Sequence, residues 1–321
     1  MQQFTIRENE AGQRLDKYLK KRLSLAPNSF LYKMLRKKNI TLNGKKADGS
    51  EKLSVSDEIK LFLSDETIAK FSGEIMQSEE AQQKYPVTEL EVLYETKDIL
   101  VINKPSGMLS QKARPEDISA NEYIIGYLLE KGDITVQELN VFKPSICNRL
   151  DRNTSGILIA GKTLHGLQKM AKQLKERRLG KYYQCLVTGD ISREQEISGW
   201  LLKDEATNRV TIFDKERKGS SFIQTGYRPL ERMGGYTLLE VHLITGRSHQ
   251  IRAHLASIGH PIVGDSKYGK RTVNEQFQRQ CRLKGQLLHA CRMELEGISI
   301  EAPLPKEFTK ALEYAKKEGY E

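Results

Sequence analysis

Residues 148–159 read NRLDRNTSGILI. In this stretch Asp151 lies between two arginines, and a polar turn then leads into an apolar run that is typical of a buried strand. A loop ion pair in front of a core strand would produce the same pattern. The stretch therefore offers Asp151 as a candidate reactive carboxylate, and predicts that it lies on a loop just before a strand.

The surrounding sequence is rich in strand patterns. Residues 93–105 read LYETKDILVINKP, which is two β-rich runs around a charged turn, and Gly234-Gly235 is a hairpin signal. Helices are fewer, and the clearest spans residues 164–179, where apolar residues recur at helical spacing. We expect one large domain over residues 90–321, with a sheet that carries the candidate site.

The first 63 residues predict a small separate module. Apolar residues recur at helical spacing in two segments, one on either side of Pro27. Ile40 and Leu42 then alternate with polar residues before Asn43-Gly44, a two-residue hairpin signal, and a strand pattern follows at 59–63. The order helix, helix, hairpin and strand predicts a compact α/β unit over residues 1–63.

A polar segment, residues 64–89, separates this module from the large domain. Within it, residues 78–84 read SEEAQQK and show no apolar period. Such a composition is typical of connecting segments, so we predict a mobile linker over residues 64–89.

Positive charge is concentrated in the N-terminal module. Between residues 14 and 46 the only acid is Asp16, whereas eleven residues are basic. The basic residues are Arg14, Lys17, Lys20, Lys21, Arg22, Lys33, Arg36, Lys37, Lys38, Lys45 and Lys46. A solvated helix face is the ordinary explanation, but such faces usually mix signs. We therefore expect phosphate contacts, with Lys17, Arg36, Lys37 and Lys38 as candidates.

The composition of the chain limits its partners. Its 321 residues include 52 Lys and Arg against 42 Asp and Glu, a net charge of +10 that attracts RNA, DNA or anionic membranes. No apolar run could span a bilayer and no signal peptide precedes the module, so we expect a cytoplasmic protein without a membrane partner. Its four cysteines form no Cys-x-x-Cys pair, which predicts reduced thiols.

A second segment gives the candidate carboxylate a context. Residues 245–255 read TGRSHQIRAHL and residues 258–269 read IGHPIVGDSKYG. Together with the first stretch they resemble motifs of the RluA family of RNA pseudouridine synthases. The same family is matched, in the same order, by INKPSGM at 102–108, KYYQCLVTG at 181–189 and LLHA at 287–290. The N-terminal module is similar in its element order to an S-four type RNA-binding domain.

The resemblance implies an α+β catalytic domain on a mixed, largely antiparallel sheet, and isomerisation of uridine to pseudouridine in structured RNA. The target base would leave its stack to react. Asp151 would be the nucleophile, held charged and oriented by Arg252. Tyr183 would stack on the uracil and assist proton removal, although a core tyrosine fits the same position. Leu255 would form a pocket wall, and Arg149 would fill the space left by the flipped base or only bind a phosphate.

One position departs from the family pattern. Many relatives have a histidine where this chain has Asn148, so the resemblance supports no proton transfer by that side chain, although Asn148 stays a candidate substrate contact. His249, His254 and His260 are spaced by five and six residues instead of the three or four of a helical metal pair, so we expect no metal. An isomerisation needs no group donor or redox partner, so no cofactor is expected.

Among RNA substrates we favour ribosomal RNA, because an added binding module suits a folded target, and transfer RNA is the alternative. A non-catalytic RNA-binding or ribosome-assembly factor of the same fold is a second hypothesis. A metal-dependent nuclease that uses Asp151 and the histidines is a third. The joint presence of Asp151, Tyr183 and Arg252 favours the synthase, and we expect it to act as a monomer.

Overall fold

The structure is a computed structural model that describes residues 1–72 and 83–318. Its N-terminal part is a small α/β unit. The elements of this unit are β1 (Gln2–Thr5), α1 (Leu15–Arg22), α2 (Asn28–Arg36), β2 (Ile40–Leu42), β3 (Lys45–Lys46), β4 (Glu58–Leu61) and α3 (Asp65–Phe71). Its strands form one antiparallel sheet in the order β1-β4-β2-β3.

Local sequence signals account for most of this unit. Leu15, Tyr18 and Leu19 lie on the buried face of α1, as their spacing predicts. Asn43 and Gly44 both have left-handed φ angles, 50° and 72°, which is the two-residue turn that matches the twist of the strands it joins. Strand β1 lies outside the sequence prediction, because four residues with one apolar side chain carry no strand period.

The segment predicted as a linker is partly helical. Residues Asp65–Phe71 form α3, and the side chain of Ser64 accepts a hydrogen bond from Thr67 N at its start. Ile68 is buried in the core of the small unit, and Phe71 packs on Phe30 with ring centroids 4.4 Å apart. Two apolar residues are therefore enough to hold α3 on the unit, which extends to Phe71. Residues 73–82 of the predicted linker lie outside the described residues.

The small unit packs against the large domain. Val141 of the large domain is 2% exposed and belongs to the core of the small unit. Arg7 Nη1 and Glu138 Oε1 form an ion pair at 3.2 Å, and Glu8 forms another with Lys97. The core of the small unit is thus completed by a residue that the sequence places in the other domain.

The large domain is built on one mixed sheet of eleven strands. The strands are β5 (Val92–Glu95), β6 (Ile99–Lys104), β7 (Ser145–Ile146), β8 (Ser155–Gly161), β9 (Gly180–Thr188), β10 (Gln195–Asp204), β11 (Arg209–Phe213), β12 (Ser221–Arg232), β13 (Tyr236–Leu243), β14 (Leu288–Leu295) and β15 (Ile298–Glu301). The main order is β11-β10-β12-β13-β9-β14-β8-β6-β5. Among the described strand pairs only β14 and β8 run parallel. The predicted mixed, largely antiparallel α+β fold is confirmed.

Five further helices belong to the described part of the large domain. They are α4 (Ala120–Lys131), α5 (Leu164–Lys175), α6 (Gln250–Ser257), α7 (Arg271–Cys281) and α8 (Lys306–Glu318). Helix α5 ends at Lys175, four residues before its predicted end at residue 179, and the left-handed φ of Arg177, 55°, stops it there. Strand β14 lies between β9 and β8 and joins the two halves of the sheet, so the loop before β8, which carries Asp151, faces strands from the other half.

His254 on α6 should make stability depend on pH. It is 2% exposed, its Nδ1 lies 3.0 Å from Thr225 Oγ1, and burial lowers its pKa to about 4. An unfolded histidine binds a proton near its usual pKa of 6.5, whereas the folded one does so only near 4. The free energy of unfolding should therefore fall as the pH drops through this interval, by up to about 3 kcal/mol.

Denaturant unfolding at neutral pH and at pH ~5 measures this fall in the free energy of unfolding. We expect His254→Gln, which cannot be protonated, to lose less stability on acidification than the wild type. Equal losses in the two proteins would show that His254 is not the group responsible.

Candidate active site

A cleft of about 980 Å³ opens beside the loop that leads into β8. Ten positively charged side chains line it, namely Lys112, Arg149, Arg152, Lys175, Arg177, Lys181, Lys203, Arg247, Arg252 and Lys267. Asp151 is the one carboxylate that lines the cleft in the part of the chain that the structure describes. The positive charge of the cleft suits a polyanion. A negatively charged side chain is unexpected there, which points to a chemical role for Asp151.

Asp151 is held by Arg252, which reaches it from the first turn of α6. Arg252 Nη1 donates a hydrogen bond of 2.7 Å to Asp151 Oδ2, across 101 residues of sequence. The side chain of Asp151 is 27% exposed and that of Arg252 only 6%, so the carboxylate faces the cleft while the guanidinium lies behind it. No residue in the described ranges donates a hydrogen bond to Asp151 Oδ1, which leaves that oxygen available to a reactant.

Asp265 orients the arginine from the other side. Arg252 Nε and Nη2 donate to Asp265 Oδ2 and Oδ1 at 2.6 and 2.9 Å, a two-pronged contact, and the Asp265 side chain is fully buried. Burial alone would raise the pKa of Asp265, but hydrogen bonds and charge from Arg252 hold it below its usual value. The backbone N–H groups of Lys267 and Tyr268 also donate to Asp265 Oδ1. One guanidinium therefore bridges a buried and a cleft-facing carboxylate.

Tyr183 lies on β9 and lines the same cleft, with 6% of its surface exposed. Burial, and then the charge of Asp151, raises the pKa of its phenol well above the usual value. Its hydroxyl has no hydrogen-bond partner within residues 1–72 and 83–318. Tyr182 points to the opposite face, where its ring stacks on His242 with centroids 4.8 Å apart and Arg292 lies over it. Alternation along the strand thus selects Tyr183 for the cleft.

Lys104 pins the loop that carries Asp151. Its side chain is fully buried, and Nζ donates to the carbonyls of Pro105, Met108 and Arg152 at 3.0, 2.9 and 3.1 Å. Burial lowers the pKa of Lys104 to about 7, while the charge of Asp151 acts in the opposite direction. Ser110 holds the other side of the loop, because its hydroxyl donates to Leu150 O at 2.8 Å.

Sequence comparisons match this chain to a known family. Residues 98–257 match the family described as RNA pseudouridylate synthase, and residues 13–59 match the S4 domain. Proteins named ribosomal large subunit pseudouridine synthase C, from Salmonella typhi and Pasteurella multocida, are 31% and 32% identical to this chain. Each alignment covers 96% of this chain, and 94% and 92% of the respective relatives. The chain belongs to the RNA pseudouridylate synthase family.

Solved structures show the same fold for this synthase. Human RNA pseudouridylate synthase domain containing 4 has a TM-score of 0.58 at 18% identity and covers 71% of this chain and 93% of its own. Human RNA pseudouridylate synthase domain containing 1 has a TM-score of 0.54 at 23% identity, with 71% and 87% covered. The resemblance to RluA-type synthases that the motifs indicate is confirmed by the named relatives.

Two other candidate residues, Arg149 and Asn148, also line the cleft of the synthase. Arg149 is exposed and lines the cleft. Asn148 also lines the cleft, but its amide is bound to the backbone of β8: Oδ1 accepts from Ile159 N at 2.8 Å and Nδ2 donates to Ile157 O at 3.3 Å. Asn148 therefore ties the start of the loop to strand β8.

Leu255 does not form the expected cleft wall. It is 0% exposed in the main core and is not among the residues that line the cleft. The side chain of Arg252 extends from α6 to Asp151, whereas the side chain of Leu255, three positions later, packs in the main core. Tyr183, Leu243 and Leu288 are apolar or aromatic residues that do line the cleft.

The candidate RNA contacts of the small unit are solvent-exposed. Lys17, Arg36, Lys37 and Lys38 have exposed side chains and form no salt bridge among the described residues. Other basic residues of the set are bound within the unit. These are Arg14 with Asp16, Lys20 with the carbonyls of Ser24 and Ala26, Lys21 with Gln13, and Arg22 with Glu10. Fewer basic side chains of the small unit are therefore available to RNA than the eleven counted in the sequence.

The three histidines considered for a metal point to different partners. His249 Nδ1 lies 3.0 Å from Tyr268 Oη, His254 faces Thr225, and His260 Nδ1 lies 2.9 Å from Thr188 O. Over residues 1–72 and 83–318, no cluster of three His, Cys, Asp or Glu side chains could hold a metal ion. Likewise, none of the described helices is long and apolar enough to cross a membrane.

Proposed function

We propose that this synthase converts uridine to pseudouridine in ribosomal RNA, with Asp151 as the nucleophile and the target base flipped into the cleft. The observation that carries this proposal is the isolation of Asp151: among the described residues it is the single carboxylate that lines the cleft beside ten cations, and Arg252 binds only one of its oxygens. A lone carboxylate repels the RNA phosphates, so its presence in this cleft is best explained by a part in the reaction.

The reaction breaks the bond between C1′ of the ribose and N1 of uracil, and forms a bond between C1′ and C5. The proton on C5 is lost and N1 gains one, so the atoms balance without a cofactor. Asp151 Oδ1 is the oxygen that attacks, since Arg252 occupies Oδ2. Attack at the sugar and attack at the base are both compatible with this oxygen.

Tyr183 is proposed to stack on the uracil. Its pKa is raised by burial, so the phenol keeps its proton at neutral pH and is a poor base. Stacking of its ring, together with a hydrogen bond donated by the hydroxyl, is the role that this environment favours. Arg149, exposed at the cleft, is proposed to enter the vacated place in the RNA stack.

Ribosomal RNA is proposed as the substrate because the relatives are named for the large ribosomal subunit, and because an RNA-binding S4 domain precedes the catalytic domain. We further propose that the synthase works in the cytoplasm as a single chain. The test is to map pseudouridines in ribosomal RNA from cells with and without the gene. At least one site should disappear without the gene and return with the wild-type gene. An unchanged map would overturn the choice of ribosomal RNA.

The small unit should contribute affinity through phosphate contacts. Replacing Arg36, Lys37 and Lys38 with glutamine should weaken RNA binding. The slope of log affinity against log salt should also fall, by roughly 0.9 for each lost contact on a duplex and by less on a single strand. Binding titrations over a series of salt concentrations measure the slope. Substitution is preferable to deletion, because deleting the unit would expose Val141.

A matched control removes the same charge elsewhere. Lys306, Lys310 and Lys317 lie exposed on α8 and do not line the cleft. Their replacement with glutamine should change the salt slope much less. If both triple variants lowered the slope equally, the effect would come from net charge, and the small unit would have no specific contact.

A further inference from the structure

Lys181 is a cation of the cleft that has no counter-ion among the described residues. It lies on β9 two residues before Tyr183, so both side chains face the cleft. Within the described ranges its ammonium forms no hydrogen bond or salt bridge, although the side chain is half-buried. Burial, and then the nearby charge of Arg177, lowers its pKa. An unpaired cation in such a place is unfavourable unless an anion binds there.

Arg177 stands beside it in an unfavourable backbone conformation. Its φ of 55° is left-handed, and it lies just after the end of α5, a position where glycine is preferred. Arg177 also lines the cleft, and its side chain has no acidic partner in the part of the chain described. A side chain kept where glycine would be more stable points to a function for that side chain.

Arg247 is the third cation of this group. A Cβ added at Gly246 would lie 3.6 Å from Lys181 Nζ, so the ammonium lies against the loop that precedes α6. Arg247 is exposed on this loop and lines the cleft. Three cations that line the cleft therefore lie near one another, since Lys181 is close both to Arg177 and to the loop that carries Arg247.

We propose that Arg177, Lys181 and Arg247 form a subsite for one phosphodiester of the RNA strand, next to the target nucleotide. The proposal rests on the function proposed above. Two residues along a strand span about 7 Å, so Lys181 lies one ribose away from a uracil stacked on Tyr183. The ligand is an anionic, tetrahedral phosphate diester, for which lysine supplies charge and arginine supplies paired donors.

Such a subsite recognises one particular phosphate, whereas the net positive charge of the cleft attracts all phosphates of the RNA alike. The probe is an RNA oligonucleotide substrate in which a single neutral methylphosphonate replaces one phosphate at a time around the target uridine. For the wild type, one linkage should matter most, with affinity about tenfold lower when it is neutral. For Lys181→Met, the natural RNA should bind about tenfold more weakly, and the neutral linkage should cause little further loss.

Two more variants keep the test decisive. Lys172→Met removes the same charge from the exposed side of α5, outside the cleft, and should retain the full sensitivity to the neutral linkage. Arg177→Gly should not lower the melting temperature, because glycine suits the left-handed conformation, yet it should weaken RNA binding.

The outcomes separate this inference from the proposed function. If the wild type forms no pseudouridine in the unmodified RNA, the proposed function fails. If the wild type is active but Lys181→Met stays as sensitive to every neutral linkage as Lys172→Met, the subsite does not exist. Unchanged RNA affinity of Arg177→Gly would remove Arg177 from it.

Discussion

Asp151→Asn should abolish turnover and preserve RNA binding. The substitution keeps the size of the side chain and removes the charge that makes it a nucleophile. We expect the single-turnover rate to fall by at least ~10⁴-fold, about 5.5 kcal/mol of barrier. Affinity for RNA should stay equal or increase, because the cleft loses the one negative charge that the described residues place among ten positive ones. Pseudouridine formation at saturating enzyme measures the rate.

Asp190→Asn is the matched control, since Asp190 is exposed and does not line the cleft. It should react at the wild-type rate. A rate for Asp151→Asn within about tenfold of wild type would leave Asp151 without a role as nucleophile. A large loss of RNA affinity would instead indicate that the carboxylate orders the cleft.

Arg252→Ala should lose nearly all activity and much of the stability of the catalytic domain. It would leave two carboxylates without a cation, and one of them, Asp265, is fully buried. Breaking a buried ion pair in this way costs about 3–5 kcal/mol. Arg252→Lys should keep part of both properties, because an ammonium supplies charge but cannot donate two parallel bonds to Asp265 and a third to Asp151. Denaturant unfolding and single-turnover rates measure the two effects.

Asp265→Asn tests whether Asp265 positions Arg252, in protein whose folding is checked by its thermal melt. The amide keeps the shape of the side chain but loses the charge that fixes the guanidinium, so Arg252 should hold Asp151 less firmly. We expect a slower single-turnover rate with unchanged RNA affinity, because Asp265 is buried and does not line the cleft. A rate and a pH profile identical to wild type would show that Arg252 is oriented without Asp265.

Sequence alone led to Asp151, Arg252 and Tyr183 because each lies in a short motif. The contact of Asp151 with Arg252 spans 101 residues and could be inferred only from the family resemblance, since no local pattern encodes a tertiary pair. Asp265 and Lys104 lie inside motifs that were recognised, GDSKYG and INKPSGM, yet their roles depend on what surrounds them after folding. A buried charge looks like any other charged residue in a sequence.

The remaining differences have the same physical origin. Helix α3 lies in a polar segment, and Ile68 alone is buried there, too little to give a helical period. Leu255 has the spacing of a residue on the Arg252 side of α6, but its side chain packs in the main core. In both cases the neighbouring elements, and not the local pattern, decide which side chains are buried.

The central position of β14 has a consequence for biosynthesis. Strand β14 begins 100 residues after the end of β9 and is therefore synthesised much later, yet it must pair with both β9 and β8. Until then, each half of the sheet presents an unpaired edge, which is where nascent chains associate with one another. The cleft can close only when this strand arrives, so an incomplete chain is exposed to aggregation and, because its halves are not yet joined, has no assembled catalytic site.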